Sequence, residues 1–208
     1  MPRPFVEADR DAAIDMAREA GFGHLVAHAG GEFVSSPMPF VIDDDGTTLL
    51  GHLARANPLL SALPTPSLVI VPVTDAYISP SWYPSKQEDG GRVVPTWNYE
   101  IVHLRGELVA HDRDWTLDLV RTLTDRFESP MDAPWSVDDA PPDYIDKLLG
   151  GIVGVSLAIA RVDAKRKLSQ NKSAEDAIGA ADGLDALGGD ARHAVADAMR
   201  SHHPEAGS

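Results

Sequence analysis

Short β-prone runs separated by turn residues fill the first half of the chain. The stretch FGHLVAHAGGEFVSSPMPFVIDDDGTTLLGHLA (22–54) has apolar runs that are interrupted by Gly-Gly and by Asp-Asp-Asp-Gly, which is typical of successive hairpins. Residues 67–73 (SLVIVPV) form an apolar run, and residues 97–110 alternate well enough for a long strand with a bend at Gly106. With a further strand at 152–162, the pattern predicts about six short strands.

Helical periodicity is confined to a few segments. Residues 8–20 predict a helix that ends at Gly21, and amphipathic spacing predicts helices at 112–128 and near 141–150. One short helix is predicted at 57–63, because an asparagine can cap it and a proline takes the first helical position. Many strands with few helices favour a mainly β fold with α decoration, a small β-barrel, over a βαβ sheet.

The last part of the chain differs from the rest in composition. Beyond residue 173 it is rich in Ala, Gly and Asp, and the apolar periodicity fades. We therefore predict a barrel domain at 1–172 and a C-terminal tail at 173–208 that is a marginal helix or disordered.

The net charge of the chain makes a nucleic-acid-binding protein an unfavourable interpretation. The chain carries 18 Lys and Arg against 32 Asp and Glu, a net charge of −14, and has no cysteine. Such a surface repels DNA phosphates, so we predict against direct nucleic-acid binding. The N-terminus has no apolar core of signal-peptide length, and no stretch reaches the apolar length of a membrane span. No metal-ligand spacing or catalytic side-chain arrangement is evident. We expect a cytoplasmic protein that binds a small molecule and has no membrane segment.

One stretch that suits an anion is GHLARANP, residues 51–58. Arg55 precedes the predicted helix start at Asn57, whose free N–H groups and positive dipole end suit a phosphate. Ser35 and Ser36 offer hydroxyl groups from a neighbouring strand. An ordinary helix cap with a surface arginine is the alternative interpretation.

A second such stretch is KRKLSQNK, residues 165–172, which contains four of the 18 cations. In an acidic chain this local reversal of sign indicates an anion held nearby. The alternative is that these cations only balance neighbouring acids on a solvated face.

Aromatic rings concentrate in one proline-rich segment, SPSWYPSK (79–86) and VPTWNY (94–99). Rings next to polar groups form a wall for a flat ligand, and prolines reduce the entropy lost on binding. The polar groups of this predicted wall, together with the amides of 165–172, are Lys86, Thr96, Asn98, Gln170 and Asn171. Packing of each ring under a long loop is the alternative. An anion clamp with an aromatic wall fits FMN better than a nucleoside triphosphate, because no phosphate-binding Gly-rich loop is present.

The motifs GHLARANP, AYISPSWYPSK, VPTWNY and KLSQNK, in this order, resemble the PaiB-type family, labelled FMN-binding negative transcriptional regulators. The resemblance implies a split β-barrel related to pyridoxamine-phosphate oxidases, and a homodimer whose flavin sites lie at the interface. It assigns the phosphate end to Ser35, Ser36, Arg55 and Asn57. It assigns the loop near the ring system to Lys86, Trp97 and Asn98, and the C-terminal arm to Lys167, Gln170 and Asn171.

Three functions remain open at this point. The first is an FMN-binding protein that acts in flavin redox or sensing, and it includes a flavin-dependent oxidoreductase. The second is a haem b enzyme on the same barrel, similar to the piperazate synthases that join two nitrogens, with His52 or His103 as axial ligand. We include His52 among the candidate cofactor residues for this reason. The third is a non-catalytic regulatory module.

Overall fold

A computed structural model describes residues 6–7, 9–88 and 90–203. Its strands are β1 (Val6–Glu7), β2 (Phe22–Ala29), β3 (Glu32–Ile42), β4 (Thr48–Ala54), β5 (Thr65–Ile78), β6 (Thr96–Ala110) and β7 (Ile152–Lys167). They form one sheet in the order β1-β7-β4-β3-β2-β5-β6, and β6 also pairs with β7, so that the sheet closes on itself. The pairs β1–β7, β2–β3, β2–β5, β3–β4 and β4–β7 are antiparallel.

Among the residues that the structure describes, six helices accompany the sheet. They are α1 (Arg10–Ala20), α2 (Ser85–Glu88), α3 (Arg113–Glu128), α4 (Pro142–Leu149), α5 (Ala174–Leu187) and α6 (Asp190–Ser201). Single 3₁₀ turns lie at Pro58–Ala62, Pro80–Trp82 and Val137–Asp139. In the described part of the chain, no helix is both long and apolar enough to cross a membrane.

The mainly β prediction with helical decoration is confirmed, and so are most of the predicted elements. The structure has helices at three predicted places, although residue 8 of the first lies outside the described residues. The hairpin predicted from Gly-Gly is β2–β3, in which Ala29 pairs with Glu32 across a two-residue turn. Gly30 and Gly31 adopt φ of 61° and 92° there, left-handed values that favour glycine.

The chain folds into two compact units. Unit 1 comprises Met1–Asp9, Pro72–Val102 and Asp163–Ser208, and unit 2 comprises Arg10–Val71 and His103–Val162. The candidate residues of β3, β4 and the turn after β4 belong to unit 2. Those near the start of β6 and the end of β7 belong to unit 1.

The strands of unit 2 bury many apolar side chains. Its fully buried side chains include Leu25, Met38, Phe40, Leu49, Val69 and Leu157. Burial alternates along β4, as expected for a strand with one face in the core. Helix α3 covers a second, smaller cluster, in which Leu119 and Leu123 pack with Val41.

For the C-terminal segment at 173–208 the sequence predicted a marginal helix or disorder, and the structure corrects disorder to two helices, α5 and α6. The described residues end at 203, and residues 204–208 lie outside them. These helices bury a set of mostly small side chains within unit 1: Ala177, Ala180, Ala181, Leu184, Val195, Ala196 and Met199. The first four follow the i, i+3, i+4, i+7 spacing of an amphipathic helix. The domain boundary at residue 172 stays a prediction.

Candidate functional site

Ser36 and Asn57 meet in unit 2. The Asn57 Nδ2 donates to Ser36 Oγ at 2.6 Å, and the Asn57 Oδ1 accepts from the Leu59 N–H at 3.0 Å. The predicted cap at Asn57 is therefore confirmed, but it caps a five-residue 3₁₀ turn and not an α-helix. Because the Ser36 hydroxyl accepts in this bond, its hydrogen is left to donate to an anion.

Ser35 and Ser36 do not share one face of β3. Successive side chains of a strand lie on opposite faces. Ser36 is buried whereas Ser35 is exposed. The two hydroxyl groups that the sequence grouped as one donor pair are thus separated by the strand.

Arg55 anchors a turn of unit 2. Its Nε donates to the Gly150 carbonyl at 2.7 Å, and its Nη2 donates to the Ile152 carbonyl at 2.9 Å. Its backbone N–H also donates to the Gly151 carbonyl at 2.8 Å. Two nitrogens of the exposed guanidinium therefore stabilise this turn, and the hydrogens that remain for a ligand are mainly those of Nη1.

His52 has an unusual environment on β4. Its Nδ1 is buried and has no hydrogen-bond partner among the described residues. Burial lowers the pKa of His52, so the ring is neutral at pH 7. A neutral imidazole with a free nitrogen is the form that binds metals and haem iron.

In unit 1 the start of β6 presents two different surfaces, since Trp97 and Asn98 lie on opposite faces of the strand. Trp97 is 53% exposed, and its ring meets that of Tyr77 edge to face with centroids 6.2 Å apart. These rings line an open cleft of about 480 Å³ that also contacts Leu187 and Arg192. The side chain of Asn98 instead faces a second cavity.

This second cavity, here called the lysine cavity, has a volume of about 280 Å³. It is lined by Tyr83, Val94, Thr96, Asn98, Lys167, Ser169, Asn171 and Lys172. No acidic side chain is among these described lining residues. Four of the predicted cofactor residues, from two distant stretches of sequence, therefore meet here: Thr96, Asn98, Lys167 and Asn171.

Two lysines give the lysine cavity positive charge. Lys167 Nζ donates to Thr96 Oγ1 in a short hydrogen bond and to the Trp97 carbonyl at 2.8 Å. Lys172 Nζ lies 4.9 Å from the centroid of the Tyr83 ring, a cation–π distance. In a chain of net charge −14, the described lining holds two lysines and no carboxylate, although the buried Asp176 lies close enough to raise the pKa of Tyr83 further.

Two buried polar atoms of the lysine cavity have no hydrogen-bond partner among the described residues: Asn98 Oδ1 and Tyr83 Oη. Asn98 is fully buried, and Tyr83 is 3% exposed. An unsatisfied buried polar group costs about 1–3 kcal/mol. Two in one cavity are therefore explained best by a bound partner, either water or a ligand.

The Tyr83 phenol is neutral, because burial raises its pKa. The Ser169 hydroxyl lies close enough to lower that pKa in part, but the two hydroxyls do not meet in hydrogen-bond geometry. Ser169 itself has a φ of 65°, which is rare for a residue with a side chain.

The remaining candidate residues have local partners. Gln170 accepts from the Leu168 N–H at 2.8 Å and donates to the Arg166 carbonyl at 2.7 Å, so it closes a turn. Lys86 is exposed and donates to Ser81 Oγ at 3.2 Å. Neither residue lines the lysine cavity, and both assignments stay predictions.

Sequence reasoning counted Tyr83 only among the rings of the aromatic wall and Lys172 only among the cations of 165–172, and it named neither as a cofactor-binding residue. Both lie in motifs that the resemblance uses, SPSWYPSK and KLSQNK. Their place in those motifs was the signal that could have found them. Their contact across about ninety residues of sequence could not be read from spacing.

Comparison with known proteins identifies the family of the chain. Residues 1–161 match the family model described as "Putative FMN-binding domain". The chain is 29% identical over 180 residues to "Protease synthase and sporulation protein PAI 2" of Bacillus subtilis, which covers 85% of this chain and 84% of that protein.

Solved structures show the same fold at low identity. The FAD and haem binding protein of Mycobacterium smegmatis aligns with a TM-score of 0.57 and 19% identity, over 89% of this chain and 81% of that one. The flavocytochrome Anf3 of Azotobacter vinelandii aligns with a TM-score of 0.54 and 16% identity, over 78% and 69%. The predicted split β-barrel is thereby confirmed. The chain belongs to the PaiB-related family of FMN-binding domains, and the predicted cofactor, FMN, is the ligand that names this family.

Proposed function

We propose that this protein binds FMN for a redox or sensing role and does not read DNA directly. The lysine cavity carries the proposal, because it combines two lysines with two buried polar atoms that lack partners. A planar cofactor with a polar ring edge supplies hydrogen-bond partners for these groups, so the residues present fit the ring system of FMN. The net charge of −14 supports a ligand-mediated role over direct contact with DNA phosphates.

Each set of residues has a distinct task in this proposal. The groups of unit 2 that suit a phosphate are Ser36, Asn57 and the free hydrogens of Arg55. The groups of unit 1 that suit the ring system are Thr96, Asn98, Lys167 and Asn171. When bound, a flavin supplies the redox chemistry itself and asks the protein chiefly for binding and orientation.

A homodimer belongs to the same proposal. The resemblance to the PaiB-type family supports cofactor sites that are shared between two copies of the chain. Sedimentation equilibrium of the FMN-loaded protein measures this directly, and a species of one chain mass, 22.3 kDa, would refute it.

Substitution of Asn57 by Asp tests the phosphate end. Asp keeps an oxygen that caps Leu59, but it removes the Nδ2 donor and adds a negative charge. We expect FMN binding, measured by quenching of flavin fluorescence, to weaken at least about tenfold. Binding of riboflavin, which has no phosphate, should change much less.

The matched control is Ser136→Asp. Ser136 also caps a 3₁₀ turn of unit 2, through its Oγ and the Asp138 N–H, so this variant adds the same charge at the same kind of position. We expect FMN affinity within about twofold of wild type. Unchanged FMN affinity in Asn57→Asp would remove Asn57 from the phosphate site. Absence of saturable quenching in the wild-type protein would overturn the proposed function.

Reduced nicotinamides separate the redox form of the proposal from the non-catalytic module. Bleaching of bound flavin by NADH or NADPH, faster than that of free FMN, supports an oxidoreductase. A bound flavin that no donor bleaches supports the module.

Haem b is the second candidate, and the unpartnered Nδ1 of His52 favours it. His103 is less suitable, since it already has an interaction of its own. If His52 is an axial ligand, titration with haemin gives a Soret band that His52→Ala abolishes and the control His28→Ala retains. A band that persists unchanged in His52→Ala, or no band in wild type, rejects haem at this residue.

A further inference from the structure

We propose that the lysine cavity reads the pyrimidine edge of the flavin ring, with Asn98 accepting from the ring N3–H and with Tyr83 and Lys167 donating to the flanking carbonyl oxygens. This inference rests on the proposed function, FMN binding, and it deepens that function. It assigns a recognition role to Tyr83, which neither the sequence motifs nor the family match provides.

The orientation of the Asn98 amide decides what it can bind. Its Nδ2 donates to Ser169 Oγ at 2.9 Å and to Met199 Sδ at 3.2 Å. A thioether sulfur has no hydrogen to give, so a flipped amide would set its oxygen against an acceptor. Oδ1 therefore stays on the side without a partner, and only a donor can satisfy it.

The neighbouring groups are donors. Lys167 has three N–H groups, and two of them are used by Thr96 Oγ1 and the Trp97 carbonyl. The third is left for a ligand. Tyr83 retains its proton because burial raises the pKa of the phenol, and Lys172 lies over its ring.

This set of groups, one acceptor and two donors that line one cavity, matches a cyclic imide. An imide edge carries an acceptor, an N–H donor and a second acceptor, whereas a carboxylate or phosphate has no donor for Asn98. Flavin and uracil share the imide edge, so a flavin and a uridine nucleotide are the two sources of this chemistry. At about 280 Å³ the cavity is smaller than the roughly 300–1,000 Å³ of pockets that hold whole drug-sized ligands. It can therefore receive one end of a flavin.

The test compares FMN with 3-methyl-FMN, in which a methyl group replaces the N3 hydrogen. Fluorescence quenching gives the dissociation constant of each. We expect wild-type protein to bind FMN at least about tenfold more tightly than 3-methyl-FMN, because the methyl group leaves Asn98 unpaired. In Asn98→Ala this preference should fall towards one.

Tyr83→Phe provides a gentler variant, should Asn98→Ala fail to fold. It removes one hydroxyl group and should weaken FMN binding about fivefold. The matched control is Tyr99→Phe, whose hydroxyl accepts from Lys165 in unit 1 but does not line the cavity. The control should stay within about twofold of wild type.

The outcomes distinguish a failure of the edge assignment from a failure of FMN binding itself. Equal binding of FMN and 3-methyl-FMN by the wild-type protein overturns the edge assignment and leaves FMN binding intact. No binding of either flavin overturns the proposed function, and this inference with it. UMP that displaces FMN at similar concentration, with the same sensitivity to Tyr83→Phe, assigns the cavity to a pyrimidine nucleotide and rejects the flavin edge.

Discussion

Gly106→Ala is expected to prevent stable folding of unit 2. A Cβ at this position would lie 1.8 Å from the carbonyl oxygen of Ala158 and 2.8 Å from its carbonyl carbon. Both atoms belong to the backbone of β7, so no side-chain rotation can relieve the overlap. The pairing of β6 with β7 closes the sheet, and separating these strands at Gly106 would break that closure.

The expected loss is large on the scale of a whole domain. Overpacking against side chains costs about 1–3 kcal/mol, and overlap with fixed backbone places this variant at about 4 kcal/mol or more. Total stabilities are about 5–15 kcal/mol. Soluble yield and urea unfolding followed by circular dichroism measure the effect.

Gly151→Ala is the control for this substitution. It also lies in unit 2, and its added Cβ would meet only the Leu148 carbonyl oxygen, at 3.3 Å. We expect its stability to stay within about 1 kcal/mol of wild type. A Gly106→Ala protein as stable as this control would mean that β6 and β7 do not approach each other so closely in solution.

The sequence pattern predicted strand β6 but not the strand that it contacts. Alternation over 97–110 predicted a strand, and the structure has one at Thr96–Ala110. Alternation describes only the two faces of a strand and not its neighbour. The contact between Gly106 and Ala158 joins residues about fifty positions apart, so no local pattern could indicate it.

The candidate site was predictable to a similar degree. The motifs selected residues that do meet in the lysine cavity, among them Asn98 and Lys167. Grouping by motif also joined Trp97 to Asn98 and Ser35 to Ser36, although neighbours on a strand lie on opposite faces. The two-residue period of a strand, applied to these motifs, is enough to separate both pairs.

The sequence predicted only a marginal helix or disorder for the C-terminal helices, because their buried face consists mostly of alanine. Ala177, Ala180, Ala181 and Leu184 have helical spacing, but alanine is so common in exposed helices that it marks a core face weakly. Two glycines in α5, Gly179 and Gly183, are the more informative signal. A glycine inside a helix lowers the stability of that helix, so its presence indicates that a neighbouring group needs the space.

At Gly183 the group that needs the space is Trp82, so we expect Gly183→Ala to have the second large effect on stability. A Cβ on Gly183 would lie 2.3 Å from Trp82 Cδ2 and 2.4 Å from its Cγ, atoms of a rigid indole that can move away only if the whole ring turns. Trp82 packs against the helical core of unit 1, and it precedes Tyr83 of the lysine cavity. We expect Gly183→Ala to lower the free energy of unfolding by about 1–3 kcal/mol in urea titrations.

A loss of stability in Gly183→Ala would indicate overlap with Trp82, because helix propensity alone predicts a gain: alanine is intrinsically the better helix former by about 1 kcal/mol. In a Trp82→Ala background the overlap disappears, and the same Gly183→Ala change should then raise stability by about that amount. A double-mutant cycle measures the reversal directly. If Gly183→Ala stabilised the wild-type protein as well, the indole would not rest on α5. The segment that carries Tyr83 would then have lost its anchor to this helix, and the position of the phenol in the lysine cavity would have to be explained by other contacts.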